Sequence, residues 1–244
     1  MRIMVIGGTS GIGLALAAHY AARGAELALC GRDTGRLAGH PLARDPRVRT
    51  YAFDIGERDA VERAVRDFGA GGIDVLVVTA GQYADAAGLA ADPGRGPALV
   101  QTNVAGLVHA FEAAGALMRT QGRGQLVAVA SIAGLLRDYQ GGSLYAASKA
   151  AAIAVCAAYR KALAPFGVAV TVLVPGYVDT ARLRELNCGD AGGKPFLVSE
   201  AAAVARMADA IERRVERCVF PRRLHLLVRV FNLLPLRLRR LRRK

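Results

Sequence analysis

The fold class is decided by the stretch Arg2-Ile3-Met4-Val5-Ile6-Gly7-Gly8-Thr9-Ser10-Gly11-Ile12-Gly13. Its apolar half predicts a buried strand, and its glycines allow a tight turn that a ligand can approach closely. A helical pattern begins at once, so the free N–H groups and the positive end of the helix dipole would face that turn. Any tight strand-to-helix turn can use glycine, but this position, between the first strand and the first helix, favours dinucleotide binding.

Short apolar runs and longer helical patterns alternate along the rest of the chain. Runs such as Asp74-Val75-Leu76-Val77-Val78 are continuously hydrophobic, which is typical of strands buried on both faces. The sequence therefore predicts an α/β fold, a single Rossmann-type doubly wound domain over residues 1–220 with a mostly seven-stranded parallel sheet flanked by helices. We expect strands near 2–7, 25–30, 48–53, 74–79, 125–130, 168–174 and 217–220, and helices near 11–23, 57–68, 97–120, 143–164 and 200–215.

Composition limits the classes of protein that this chain can represent. Its 244 residues are 53% hydrophobic, enough for a large core and too apolar for disorder. We expect no signal peptide, and no apolar run reaches the roughly 18 residues that span a bilayer. The four cysteines are scattered, as in a reducing cytosol, which predicts a cytoplasmic location. The histidines are equally scattered, so we predict no metal site.

Residues 221–244 form a basic extension with mixed apolar and basic residues. They hold nine of the 33 Lys and Arg residues and no acidic residue, so the rest of the chain carries +4 (24 − 20) of the total net charge of +13. A basic amphipathic helix can lie on an anionic membrane surface, here the inner face. The extension could instead wall an apolar substrate pocket, or be an ordinary terminal helix with a frayed end. No aromatic stacking platform accompanies the charge, so we expect no nucleic-acid partner.

Two further segments predict how a ligand would be covered and which cofactor would bind. The stretch 180–199 interrupts the alternation and contains glycines, Pro195 and Phe196, which predicts a lid. At the end of the second strand, an NAD site usually has an acidic residue that binds the ribose 2′-hydroxyl, and this chain has Cys30 and Gly31 there. Arg32 follows and could bind a 2′-phosphate. This favours NADP(H) over NAD(H), although an ordinary exposed arginine would give the same sequence.

Tyr145 and Lys149 lie four residues apart in a predicted helix, which places both side chains on one face. A nearby ammonium favours the phenolate, so we expect Lys149 to lower the pKa of Tyr145. The pair would then exchange protons near neutral pH. A surface tyrosine beside a solvated lysine is the plain alternative.

In their order along the chain, these motifs resemble those of the short-chain dehydrogenase/reductase family over about residues 1–220. The resemblance implies an NADP(H)-dependent carbonyl reductase with a small-molecule substrate. It also implies a homodimer or homotetramer that packs through helix 143–164. The cofactor-binding residues that it implies are Gly7, Thr9, Ser10, Gly11, Ile12, Gly13, Arg32, Asp54, Ile55, Ala80, Gly81, Tyr145, Lys149, Pro175, Gly176, Val178 and Thr180.

Four residues match the family's catalytic positions: Asn103, Ser131, Tyr145 and Lys149. The resemblance implies that Tyr145 exchanges the proton with the substrate oxygen and that Ser131 polarises the carbonyl. It implies that Lys149 tunes the tyrosine and holds the nicotinamide ribose, while Asn103 holds a water on the proton path.

The chain departs from the family pattern at three places. Ile6 stands where the family usually has threonine, and Val78-Thr79 stand where it usually has two asparagines. Those residues tie strands and loops together, so local stability is in question. Ser131 also precedes Tyr145 by one residue more than usual, which an extra residue in 136–142 would absorb.

The favoured interpretation is an enzyme that interconverts a carbonyl and a secondary alcohol on an apolar ketone, aldehyde or acyl-type substrate. An acyl-thioester ketoreductase is a narrower form. The alternatives are a nucleotide-binding regulatory protein with little turnover and a membrane-peripheral protein whose extension is its main function.

Overall fold

A computed structural model describes residues 1–137 and 143–235 of the chain. This part contains nine strands, of which seven form one sheet and two form a small separate pair. The strands are β1 (Arg2–Ile6), β2 (Glu26–Gly31), β3 (Val48–Ala52), β4 (Val75–Val78), β5 (Gly124–Val129), β6 (Val168–Pro175), β7 (Val178–Asp179), β8 (Val198–Ser199) and β9 (Arg217–Phe220).

The large sheet is parallel throughout, with the order β3-β2-β1-β4-β5-β6-β9. The chain therefore starts in the middle, runs outward to one edge and then crosses back, which is the doubly wound arrangement predicted from the sequence. Ile6 lies opposite Cys30 on β2 and Val78 on β4. All carboxyl ends of the strands consequently meet at one edge, where the glycine-rich turn also lies.

The same described residues form nine α-helices. They are α1 (Gly11–Ala21), α2 (Arg58–Gly69), α3 (Ala86–Ala91), α4 (Arg95–Val100), α5 (Gly106–Gln121), α6 (Leu144–Leu163), α7 (Ala181–Glu185), α8 (Glu200–Glu212) and α9 (Arg222–Leu233).

Helices cover both faces of the sheet and create two apolar cores. One core includes Phe68 of α2, Phe111 of α5 and Ile153 of α6. The other includes Leu16 of α1 and Met207 of α8. Strands buried on both sides explain why the sequence shows continuous hydrophobic runs rather than alternation.

The helix predicted near 97–120 is instead three segments. A π-turn over Gln101–Ala105 separates α4 from α5. The amide of Gln101 donates to the Gly56 carbonyl at 2.9 Å, which anchors the wide turn to the loop after β3. Such turns change the direction of side chains within a helix and are frequent at functional sites. Asn103 lies in this turn.

The predicted lid and the described part of the C-terminal extension, residues 221–235, both contain regular secondary structure. β7 and β8 pair at the base of the stretch 180–199, and α7 begins just inside it. In the extension, α9 packs Val228 into the core and ends two residues before Pro235, as the proline predicts. None of the helices within 1–137 and 143–235 is both long and apolar enough to cross a bilayer.

Candidate active site

The glycine-rich turn is held by backbone hydrogen bonds at the carboxyl edge of the sheet. Gly7 adopts φ 91°, a conformation that favours glycine. The N–H groups of Gly7 and Gly8 donate to the Cys30 carbonyl at 2.8 and 3.1 Å. The end of β2 therefore fixes the turn that follows β1.

Thr79 joins the end of β4 to the glycine-rich turn by hydrogen bonds. It thereby does what we expected of the two asparagines that this chain lacks. Its hydroxyl lies 3.0 Å from the Gly7 carbonyl oxygen and 3.2 Å from that of Ile6. A Cβ on Gly13 would lie 2.2 Å from the Gly7 oxygen and 2.4 Å from the Thr79 hydroxyl. The turn, α1 and the end of β4 are thus packed against one another without room for another side chain.

The first turn of α1 fits the phosphate groups of a dinucleotide. Ser10 precedes the helix in an extended conformation, and its side chain caps none of the helix N–H groups. A Cβ on Gly11 would meet no atom within 4 Å, so this face of the turn is open. Thr9 is buried and packs against Gly31, while Ile12 follows in the helix. An open helix N-terminus with free donors is suited to a pyrophosphate.

The residues expected near the adenosine lie at the ends of β2 and β3. Arg32 is exposed, and no ion pair involves it within the described part of the chain. Asp54 accepts a hydrogen bond from Gly56 N–H at 2.8 Å. Ile55 is buried against Gly106. Arg32 is therefore available to bind a phosphate. Asp54 also stabilises the loop after β3 through its hydrogen bond with Gly56.

On the nicotinamide side, Gly176 donates its N–H to the Phe220 carbonyl at 2.7 Å, which joins the end of β6 to the end of β9. Pro175 ends β6, and Val178 is buried in β7. The Thr180 hydroxyl accepts from the N–H of Leu183 at 3.2 Å and caps α7. The predicted residues of this turn therefore lie together beside the base of the lid.

Tyr145 lies in the first turn of α6, where its ring packs edge-on against Tyr83 with the centroids 5.1 Å apart. Ser131 follows β5, is buried, and accepts a hydrogen bond from Ala133 N–H at 3.2 Å. Burial raises the pKa of the Tyr145 phenol, while the neighbouring Ser131 hydroxyl acts in the opposite direction. The predicted lowering of this pKa is therefore wrong for this structure, since burial outweighs the favourable contacts. The phenol is a proton donor at neutral pH.

Lys149 lies one turn further along α6, beneath Tyr145. Its Nζ donates to the Val129 carbonyl at 3.0 Å and is 5.9 Å from the centre of the Tyr145 ring. A Cβ on Gly81 would approach this Nζ to 3.2 Å, so the loop that follows Ala80 lies directly over it. Burial lowers the pKa of the Lys149 ammonium to about 8.

Asn103 is buried and fully engaged with its neighbours. Its Oδ1 accepts from Gln82 N–H at 2.7 Å, and its Nδ2 donates to the Gln82 carbonyl at 2.9 Å and to the Ser148 hydroxyl at 3.0 Å. The Ser148 hydroxyl in turn donates to the Tyr145 carbonyl at 2.8 Å. This network joins the loop after β4 to the catalytic helix. The water predicted at Asn103 stays a prediction.

Three residues that hold the site together were not predicted from the sequence. Gln82 and Ser148 are each adjacent to a residue that was singled out, and that adjacency was the available signal. Asn232 gave no signal, since it lies far along the chain in α9. Its side-chain amide donates to the Leu135 carbonyl at 2.7 Å and accepts from Arg137 N–H at 2.9 Å. It therefore fixes the loop that begins at Ser131.

The structure thus brings Ser131, Tyr145, Lys149 and Asn103 together at the carboxyl edge, beside the glycine-rich turn. The extra residue expected in 136–142 falls largely on 138–142, outside the described residues. The assembled groups can donate a hydrogen bond and a proton to one carbonyl oxygen.

Lys149→Met is expected to change how stability depends on pH. The folded pKa of Lys149, about 8, lies below that of the unfolded chain, so the unfolded state binds more protons between these values. The free energy of unfolding should therefore rise with pH above about 8 in the wild type, by about 2 kcal/mol relative to Lys149→Met between about pH 7 and about pH 10. Urea unfolding of both proteins at both pH values checks this. Parallel pH dependence in the two would show that Lys149 has an ordinary pKa.

Comparison with known proteins identifies the family of the chain. The model of the short chain dehydrogenase family matches residues 1–190. An uncharacterized oxidoreductase of Mycobacterium tuberculosis is 30% identical over 233 residues, covering 90% of this chain and 88% of the relative. The 3-dehydrosphinganine reductase TSC10B of Arabidopsis thaliana is 32% identical over 185 residues, covering 73% of this chain and 55% of that protein.

Among solved structures, the chain is similar to a short chain dehydrogenase from Burkholderia cenocepacia in complex with NADP. The TM-score is 0.79 at 24% identity, and the match covers 96% of this chain and 98% of the other. This likeness shows the fold. The family match covers most of the chain and agrees with this fold. The chain belongs to the short chain dehydrogenase family, whose members are oxidoreductases acting between alcohol and carbonyl groups.

Proposed function

We propose that the protein is an NADP(H)-dependent reductase that converts an apolar ketone, aldehyde or acyl-type carbonyl to the alcohol. One observation carries this proposal. The Tyr145 phenol lies beside Ser131, and the Lys149 ammonium lies 5.9 Å from the centre of its ring, at the same carboxyl edge of the sheet as the open glycine-rich turn.

In this proposal each residue acts on a named atom. The bound NADPH supplies the hydride to the carbonyl carbon. Ser131 donates a hydrogen bond to the carbonyl oxygen, and Tyr145 transfers its phenolic proton to the same oxygen. Lys149 holds the ribose of the cofactor and stabilises the phenolate that remains. Asn103 keeps the loop after β4 against α6, which fixes the distance between these groups.

The preference for an apolar substrate is supported by the side chains around the lid. Tyr177, Leu186 and Phe196 are exposed, and Leu183 and Leu197 are partly buried beside them. All five follow the carboxyl end of β6. A substrate entering from this edge would therefore meet apolar surface before it reaches Tyr145.

The test is a panel of ketones, aldehydes and acyl thioesters, followed by the loss of NADPH absorbance. Turnover of at least one apolar carbonyl supports the proposal. NADPH binding without turnover of any member would favour the regulatory alternative, which the assembled Tyr145, Lys149 and Ser131 argue against.

The choice of NADP(H) rests on Arg32. The related Burkholderia structure was solved with NADP, but that likeness concerns the fold. Arg32→Asp removes a partner for the 2′-phosphate and adds an acceptor for a 2′-hydroxyl. We expect the ratio of kcat/KM for NADPH over NADH to fall at least about tenfold, the scale of one charged hydrogen bond.

Arg36→Asp is the matched control for this prediction. Arg36 is exposed, lies four residues further on and pairs with Asp33 at 3.6 Å. The Arg36→Asp variant should leave the ratio of kcat/KM for NADPH over NADH nearly unchanged. An equal fall in both variants would point to general electrostatics, and a wild type that already prefers NADH would overturn the cofactor assignment.

We infer a homo-oligomer that packs through α6. Alanines at 147, 150, 154 and 158 are exposed along one face of this helix, where they would allow close helix packing. Sedimentation analysis of the purified protein tests this. The choice between dimer and tetramer, the cytoplasmic location and the expected lack of a nucleic-acid partner stay predictions.

A further inference from the structure

Helix α9 is apolar on two opposite faces, and within residues 1–137 and 143–235 only one of them packs against the core. The inner face buries Val228 and places Leu224 against the core. The outer face carries Leu226, Leu227, Val230 and Leu233, whose exposed fractions run from 50% to 84%. Contacts with the core explain why the inner face is apolar, and the described part of the chain gives no such reason for the outer face.

Arginines are interleaved with these exposed apolar side chains. Arg222, Arg223 and Arg229 are exposed on the same helix. Beside the start of α9, a groove along the open edge of β9 is lined by one carboxylate and five arginines: Asp209, Arg206, Arg213, Arg217, Arg222 and Arg223. The sequence adds six further basic residues and no acidic one after Pro235. The surface is therefore both apolar and strongly cationic.

This surface lies at the edge of the sheet that holds the active site. α9 follows the carboxyl end of β9, and Asn232 at its far end contacts the loop that begins at Ser131. Leu186 and Phe196 of the lid are also exposed beyond the carboxyl end of β6. Exposed apolar residues on α9 and on the lid thus belong to one end of the molecule.

We propose that the outer face of α9 lies on an anionic lipid surface, with the mouth of the active site turned toward that surface. Leucines and valine would enter the boundary between headgroups and acyl chains, while the arginines contact lipid phosphates. A second copy of this chain is disfavoured as the occupant, because it would bring the same cationic residues against these. The contact is peripheral and does not depend on the reaction proposed above.

The test uses the full-length protein and sedimentation with vesicles of phosphatidylcholine alone or mixed with phosphatidylglycerol. We expect binding to the mixed vesicles in low salt, and weaker binding in high salt because the charges are screened. The double variant Leu226→Gln, Leu227→Gln should lose at least tenfold in vesicle affinity. Phe166→Gln is the matched control, because this exposed aromatic residue lies before the amino end of β6, away from the carboxyl edge at which α9 begins, and the variant should bind like the wild type.

Three results would overturn the proposal: wild-type protein that stays in the supernatant with both vesicles, equal binding by the double variant, or equal binding to neutral and anionic vesicles. Light scattering adds a fourth, because dissociation of an oligomer by the double variant would make a second copy the occupant. An unchanged Tm of the double variant in the absence of vesicles shows that it is folded. Vesicle binding needs no turnover, so this proposal and the proposed reaction fail separately.

Discussion

Tyr145→Phe is expected to lower kcat at least about 100-fold while the Kd for NADPH changes by less than about twofold, as for loss of a general acid. Phenylalanine keeps the ring and its edge-on contact with Tyr83. It removes the hydroxyl that lies beside Ser131 and that would give its proton to the substrate. Steady-state kinetics on a reducible carbonyl, with a separate fluorescence titration of NADPH, measures both quantities.

Tyr83→Phe provides the matched control. It removes a hydroxyl from the neighbouring ring, whose centroid is only 5.1 Å away, and leaves Tyr145 intact. We expect this variant to retain most of the wild-type kcat. If Tyr145→Phe turns over at a near-normal rate, or if the two variants lose activity equally, Tyr145 is not the proton donor.

Gly13→Val is expected to reduce the free energy of unfolding by about 3 kcal/mol, the upper range for overpacking a site that cannot relax. The added side chain would begin 2.2 Å from the Gly7 oxygen and 2.4 Å from the Thr79 hydroxyl. The glycine-rich turn must move to relieve this contact, so NADPH binding should be lost as well. The corresponding fall in Tm is about 6–12 °C for a chain of this size.

Gly193→Val separates this effect from the general cost of replacing glycine. No atom lies within 4 Å of the Cβ that it would add. Thermal unfolding with and without NADPH compares the two variants, and the Gly193 variant should resemble the wild type in both respects. A Gly13 variant with normal Tm and normal cofactor stabilisation would show that the close packing around the turn is incorrect.

The sheet and its helices could be predicted because their signals are local. Strands buried on both faces appear in the sequence as continuous apolar runs, and several of them, such as β1 before Gly7 and β4 before Thr79, end at a glycine or polar residue that marks the turn. The pair Tyr145 and Lys149 could also be predicted, since helical spacing alone places both side chains on one face. The glycine-rich turn could be predicted because it lies between the first strand and the first helix.

What could not be predicted depends on contacts between distant parts of the chain. The π-turn around Asn103 depends partly on Gln101 reaching the Gly56 carbonyl, a contact across 45 residues. The pKa of Tyr145 could not be read from its spacing to Lys149, because the burial that raises it comes from surrounding elements. Thr79 was noted as a departure, yet its replacement bonds to the turn became visible only in three dimensions.

The anchor that α9 provides has a consequence for how the enzyme is made. Asn232 holds Leu135 and Arg137, which precede it by 97 and 95 residues. Chains are synthesised from the amino terminus, so Ser131, Tyr145 and Lys149 all leave the ribosome well before α9 does. A nascent chain that has not yet reached α9 would contain every proposed catalytic residue and lack the contact that fixes the Ser131 loop. The loop that carries Ser131 therefore receives this anchor only after the residues around it have been synthesised.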